Sequence, residues 1–181
     1  YARKNVLNAM EPYQTGGEMI DKVTLQESTW NEPPWKFEAG TPNIAQVVGL
    51  GSAVEFLNEI GLDIIEKKLN QLTQFALEEM NKSSGIHLFH SGNPRENVIS
   101  FIVEGIHPQD LAMFMNEDNI AFRVGHHCAQ PLMKHFGVST TARISFAVYN
   151  TQEDIKRFIQ SLKNTVEILK GHSNKKSEIK T

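Results

Sequence analysis

The sequence is poor in cysteine: Cys128 is the one thiol among 181 residues. No internal disulfide can form, and a single thiol fits a reducing compartment. Long apolar runs are also missing. Nothing approaches 18 consecutive apolar residues, so no membrane span is read from the sequence. No basic stretch followed by an apolar run opens the chain, so no secretory leader is expected. An excess of one charge is missing too: 18 Lys and Arg against 21 Asp and Glu leave a net charge of −3, with both signs interspersed. That balance argues against a dedicated nucleic-acid surface. There is no initiator methionine and no cap or turn signal before Tyr1, so the chain reads as a piece of a longer polypeptide.

What is present suits a globular fold. Hydrophobic residues make up 40% and charged residues 22%. A chain of this length buries about 70% of its unfolded surface and needs no staples. Residues 16–42 are irregular, with Gly16-Gly17, Pro33-Pro34 and Gly40-Thr41-Pro42, and Met19 to Val23 as a short strand. Trp30, Trp35 and Phe37 argue against disorder there. Thr41 as cap and Pro42 at the first helical position open a helix carrying Ile44, Val47, Val48, Val54 and Leu57, up to Gly61. Ile65, Leu69, Leu72, Ala76 and Met80 predict a second helix over 62–81.

The period then changes. Residues 86–89 and 98–103 read as strands around a Gly92-Asn93-Pro94 turn, Pro108 opens a short helix, and 120–124 and 142–148 are further strands. Thr151 and Asp154 form a capping box ahead of a last helix that stops before Gly171; the charged tail 172–181 reads as frayed. The expected fold class is α/β, a small and largely antiparallel sheet covered by helices on one face.

Three segments carry chemistry. Arg123-Val124-Gly125-His126-His127-Cys128-Ala129 places the thiol after a strand and a glycine, with two imidazoles and a guanidinium just before it. Such neighbours favour the thiolate, which is the nucleophile. On spacing alone three readings stay open: a nucleophile, an inert packed cysteine, or a zinc ligand with His126, His127 and His135, although this cluster lacks the paired spacing of structural zinc sites. Arg143 interrupts an apolar strand and is either a bidentate carboxylate clamp or a rim arginine paired with an acid. Gly40-Thr41-Pro42-Asn43 is either a phosphate cradle or an ordinary helix cap.

Together these segments resemble a known family. Arg123 to Ala129 is similar to the R-x-G-H-H-C-A segment of the SufS-type (group II) cysteine desulfurases, fold-type I pyridoxal-phosphate enzymes of the class V aminotransferase-like family. The similarity runs on through Gln130-Pro131-Leu132-Met133, Ala142-Arg143 and Tyr149-Asn150-Thr151, and includes Gly16 to Ile20 and Phe37 to Asn43. Order and spacing fit over about Met10 to Leu169. Where many relatives have three glycines, this chain has Thr15-Gly16-Gly17.

The resemblance implies a transferase that converts L-cysteine to L-alanine and leaves a persulfide on Cys128 for iron–sulfur cluster assembly. It implies pyridoxal 5'-phosphate as cofactor, Arg143 and Arg123 as substrate-binding residues, and Thr41, in a turn shaped by Gly40, as a contact to the cofactor phosphate across a homodimer. His126 and His127 are motif members whose roles stay open, and no metal is implied. Residues 1–45 would be a remnant of the large cofactor domain with an active-site and dimer loop, and 46–171 the C-terminal small domain with its interdomain helix. Family members are about twice as long, and the Schiff-base lysine lies in the missing half, so the isolated chain is expected to be inactive. Further expectations are a SufE- or SufU-like sulfur acceptor, approached through His107-Pro108-Gln109-Asp110, and a cytoplasmic or plastid location. Selenocysteine lyase, a persulfide carrier independent of the cofactor, and a dimerisation module are the alternatives.

Overall fold

A computed structural model describes residues 1–90 and 97–178. The chain divides into two compact units, Tyr1–Glu59 and Ile60–Thr181. The first holds helix α1 (Lys4–Ala9), a two-stranded antiparallel ribbon of β1 (Ile20–Val23) and β2 (Ser28–Trp30), a single 3₁₀ turn (Trp35–Phe37), and nearly all of helix α2 (Ile44–Ile60). The irregular stretch is ordered by its own polar contacts. Trp30 Nε1–H donates to Glu11 Oε2 at 3.3 Å, Asn31 Nδ2–H donates to the Glu18 carbonyl at 2.8 Å, and the Asn31 amide donates to the Met19 carbonyl at 2.8 Å. The Met19 side chain is fully buried beneath them.

Helix α2 departs from expectation in two ways. It begins at Ile44, with the Val47 amide bonded to the Asn43 carbonyl at 2.9 Å, so Thr41 and Pro42 precede the helix instead of capping and opening it. It also buries no residue: Ile44, Val47, Val48, Leu50, Val54, Phe56 and Leu57 are all exposed. With Leu50 and Phe56 added to the expected stripe, apolar side chains surround the axis, and one face cannot be told from another.

The second unit is built on helix α3 (Leu62–Asn81), strands β3 (Ile86–Phe89) and β4 (Val98–Val103), helix α4 (Pro108–Asn116), strand β5 (Arg123–Gly125), helix α5 (Gln130–Phe136), strand β6 (Thr141–Ser145) and helix α6 (Gln152–Glu178). The four strands form one antiparallel sheet in the order β3-β4-β6-β5. The pleat sorts their side chains. Ile99, Phe101 and Val103 of β4 are buried, alternating with half-buried Val98, Ser100 and Ile102. Register aligns Ile99 with Ile144 and Phe101 with Ala142, and these meet Leu72, Ala76 and Met80 of α3, Leu111 and Met115 of α4, and Ile155, Phe158 and Leu162 of α6 in one core.

The sequence anticipates α3, β3, β4, the start of α4 and the Thr151–Asp154 capping box. In that box the Thr151 amide donates to Asp154 Oδ2 at 2.9 Å and the Asp154 amide to Thr151 Oγ1 at 3.2 Å. The first of these bonds does most to hold the Asp154 carboxyl below the usual carboxylate range. Strand β5 starts at Arg123, not Ile120, and β6 ends at Ser145, where the Phe146 amide turns to the Asn97 carbonyl. The backbone of α6 continues past Gly171 to Glu178. The Gly92-Asn93-Pro94 turn and residues 179–181 of the tail lie outside the described residues.

One helix is unexpected. The proline after Cys128 opens α5, a true helix closed by Gly137 in the left-handed conformation (φ 70°). It lies on the sheet face opposite the other three helices, where Phe136 stacks on Phe89 at 4.8 Å between ring centroids. No helix among the described residues is long and apolar enough to cross a membrane.

Phe101 is fully buried and meets Phe158 edge-on at 6.0 Å and Phe122 at 6.2 Å. Phe101→Ala is therefore expected to cost about 3–5 kcal/mol, read as a lowered urea midpoint at unchanged m-value.

Candidate functional site

The site grows out of the pairing of β5 with β6. Gly125 aligns with Thr141, Val124 with Ala142, and Arg123 with Arg143. Val124 and Ala142 belong to the core side. Alternation therefore puts Arg123, Arg143 and Thr141 on the other face, beside Ser100, which aligns with Arg143 across β4. Two like charges directly opposite one another on neighbouring strands destabilise a sheet. Arg143 is half-buried, and its Nε is buried with no hydrogen-bond partner among the described residues. A buried guanidinium N–H without an acceptor, on a residue aligned with a second arginine, suits an anion; a carboxylate offers four lone-pair sites to such a fork.

The thiol lies just beyond β5. After Gly125 (φ 123°) the chain places His127 (φ 52°) and Cys128 (φ 56°) in the left-handed region, and Cys128 is exposed. Two successive non-glycine residues there cost roughly 1–2 kcal/mol each, so the surroundings must enforce the turn. Three sets of hydrogen bonds do so. The Cys128 amide donates to His126 Nδ1 at 3.1 Å and the Ala129 amide to the His126 carbonyl at 2.8 Å. His127 Nε2 lies 3.2 Å from the Thr141 carbonyl and 3.0 Å from Thr141 Oγ1. A carbonyl only accepts, so the tautomer that satisfies both contacts has the hydrogen on Nε2 and the lone pair at Nδ1. Burial, then the nearby Arg143 guanidinium, hold this imidazole below its ordinary pKa; Arg123 and His126 act the same way, and the Thr141 bond opposes them.

Beside the loop, an open cleft of about 530 Å³ runs between α5 and the sheet, lined by apolar side chains of β3 and α5 together with the polar His90, Ser100 and Thr141. The inert packed reading of Cys128 does not describe an exposed thiol. The zinc reading finds no set either: among the described residues no three His, Cys, Asp or Glu side chains are grouped as metal donors. Thr141 is the member that the sequence did not single out. Its signal was its place two residues before Arg143, which puts both on one strand face.

Gly40 and Thr41 belong to the other unit. Gly40 has φ 84°, and an added Cβ would meet nothing within 4 Å, so glycine is there for the turn and not for close packing. Its amide is spent on the Gly17 carbonyl at 2.9 Å. Thr41 is exposed, with no hydrogen-bond partner to its hydroxyl among the described residues. The turn thus fits one oxygen of a phosphate through Thr41, not a complete cradle. His107 is the N-cap of α4 and Pro108-Gln109-Asp110 its first turn; His107 Nδ1 accepts from the Gln109 amide at 3.2 Å.

An antiparallel α/β unit with an exposed thiol on a left-handed loop, directly after a strand that aligns one arginine with another, matches a known architecture. Residues 1–158 match the aminotransferase class-V family, and the chain belongs to it. It is 49% identical over 172 residues to a probable cysteine desulfurase of Halalkalibacterium halodurans, which covers 95% of this chain and 42% of that protein. Among solved structures it is similar to the cysteine desulfurase CsdA (S-sulfonic acid) from Escherichia coli, with a TM-score of 0.86, 34% identity, and coverage of 93% of this chain and 42% of that one. It is also similar to the apo cysteine desulfurase of Thermococcus onnurineus NA1, with a TM-score of 0.85, 36% identity, and coverage of 92% and 42%. The chain thus spans about two-fifths of the length of the relatives it matches.

The lowered His127 pKa has a sign that can be checked. The folded state prefers the neutral ring, so its contribution is complete above the unfolded imidazole value (about 6.5) and is lost as pH falls through the folded value. Thermal melts at pH 7.5 and 5.5 should show a smaller acid-induced drop in Tm for His127→Gln than for the parent protein.

Proposed function

We propose that this chain is the C-terminal portion of a SufS-type cysteine desulfurase and supplies its sulfur-accepting thiol and its carboxylate grip. One observation carries the reading: an exposed thiol sits on a loop hydrogen-bonded to the strand that aligns Arg143 with Arg123. The 49% identity to a probable cysteine desulfurase supports it.

In this reading L-cysteine binds through its carboxylate to the guanidinium fork of Arg143, with Arg123 as the auxiliary contact. Charge-assisted bidentate bonds fix the orientation of the substrate as well as its affinity. The Cys128 thiolate then takes the substrate sulfur. The substrate Cβ–S bond breaks and an S–S bond to Cys128 forms; the electron pair of the broken bond stays on Cβ and takes up one proton, equal to the one released when Cys128 became a thiolate, to give the methyl group of L-alanine. The products are L-alanine and a Cys128 persulfide, which a SufE- or SufU-like acceptor collects for iron–sulfur cluster assembly in the cytoplasm. Pyridoxal 5'-phosphate, when bound, supplies the electron sink for this cleavage. On this chain Thr41 offers its hydroxyl to a phosphate oxygen of that group in a homodimer, and Gly40 sets the turn. The Schiff-base lysine lies outside these residues.

In the full-length protein, Cys128→Ala should lower L-alanine release from L-cysteine by at least about 100-fold, while Arg143→Lys should mainly raise KM, by about tenfold, because lysine cannot form the fork. Wild-type alanine release by the Cys128 variant, measured by amino-acid chromatography, would overturn the reading. Selenocysteine turned over with strong preference to cysteine would redirect it to a selenocysteine lyase. The 181 residues alone, mixed with pyridoxal 5'-phosphate, should develop no visible-edge absorbance from a lysine-bound cofactor and no desulfurase activity.

A further inference from the structure

Cys128 is exposed and its loop is conformationally costly, so something must keep the thiol where a carboxylate held by the arginines can present its sulfur. The backbone bonds to His126 close the turn on itself but attach it to nothing else. Among the described residues, the His127 ring is the side chain of the turn that hydrogen-bonds to the sheet. Its Nε2 reaches the carbonyl and hydroxyl of Thr141, which is fully buried and lies two residues before Arg143 on the same face of β6. We infer that His127 is a positioning residue: its Nε2–H, bonded to Thr141, fixes the Cys128 turn relative to the Arg143–Arg123 pair, and the imidazole carries no proton in the reaction. The inference rests on the proposed function, because it takes the arginine pair as the carboxylate grip.

The geometry separates this role from acid–base work. The hydrogen on Nε2 is committed to a buried carbonyl, where it cannot be handed to a substrate without breaking the tie. Arg143 and Arg123 both oppose a second proton on the ring. What the loop needs from position 127 is a donor at the reach of Nε2 and tolerance of φ 52°. Gln carries an N–H at that reach. Asn suits the left-handed region but is one bond short and cannot reach Thr141.

The test uses two alkylating reagents on the full-length protein, with labelling at Cys128 read by peptide mass spectrometry. Iodoacetate carries a carboxylate and iodoacetamide does not. A thiol poised over a carboxylate grip reacts faster with iodoacetate than a free thiol does, relative to iodoacetamide. In wild type this ratio should exceed that of free cysteine. In His127→Ala and His127→Asn it should fall about fivefold, a loss on the scale of one hydrogen bond, and in His127→Gln it should be kept. With L-cysteine as substrate, the Asn variant should lose kcat while KM stays within about twofold, because the arginines are untouched.

A wild-type ratio no higher than that of free cysteine would overturn the proposed carboxylate grip, and this inference with it. A raised wild-type ratio that survives in the Asn variant would overturn the positioning role alone. So would a Gln variant as impaired as Asn, since a ring that moves protons cannot be replaced by an amide. Because Asn accepts the left-handed backbone, loss in that variant reports the missing tie and not a collapsed turn.

Discussion

Four consecutive residues of β6 set the geometry of everything around them. The pleat sends Ala142 and Ile144 into the core and leaves Thr141 and Arg143 on the other face. The strand is central, with β4 on one side and β5 on the other, so it cannot slip by one residue without putting a guanidinium into the core and two aliphatic side chains onto the site. Register thus couples folding to chemistry. The contacts that bury Ile144 beside Ile99 and Ala142 beside Phe101 also place Arg143 against Ser100 and Arg123.

The core pays for a costly surface. Two arginines aligned on neighbouring strands, a buried Nε without a partner among the described residues and two left-handed residues in succession each work against stability, and all belong to the β5–β6 pair and the loop that follows β5. Strain and unsatisfied polarity of this kind persist only where surrounding structure enforces them, and they concentrate at working sites. Three helices on the opposite face supply the enforcement: α3, α4 and α6 bury Leu72, Met80, Leu111, Met115, Phe158 and Leu162 against the sheet. Within the second unit the other face carries α5, a short helix over an open, largely apolar cleft.

Much of this was legible in the residues. Helical spacing marked α3 to both of its ends, and the change of period marked β3 and β4, because α3 and β4 each bury one stripe and Ile86 and Leu88 of β3 pack against the same core. The motif around Cys128 and the lone Arg143 in an apolar strand were visible for the same reason: each breaks a local pattern. What escaped was set by tertiary context. Helix α5 is only seven residues long, too short for periodicity to show. Thr41 and Pro42 look like a helix start, yet the Gly40 turn delays the first helical residue to Ile44. The apolar stripe on α2 was legible, as were Leu50 and Phe56 off that stripe; what the residues did not tell is that α2 buries none of them. The role of His127 could not be read at all, since its partner lies 14 residues away and meets it only through the β5–β6 register.

Strand β5 is the outermost of the sheet and only three residues long. Open strand edges invite pairing with other chains, and folded proteins discourage this with brief edges, charge and abrupt bends. Arg123 supplies the charge, Gly125 and the left-handed residues after it supply the bend, and the segment is as short as a strand can be. The features that leave the Cys128 thiol exposed just beyond Arg123 therefore also guard this rim against aggregation. A substitution that straightens the loop or neutralises Arg123 would open the edge to self-association in the same stroke that it blunts the site.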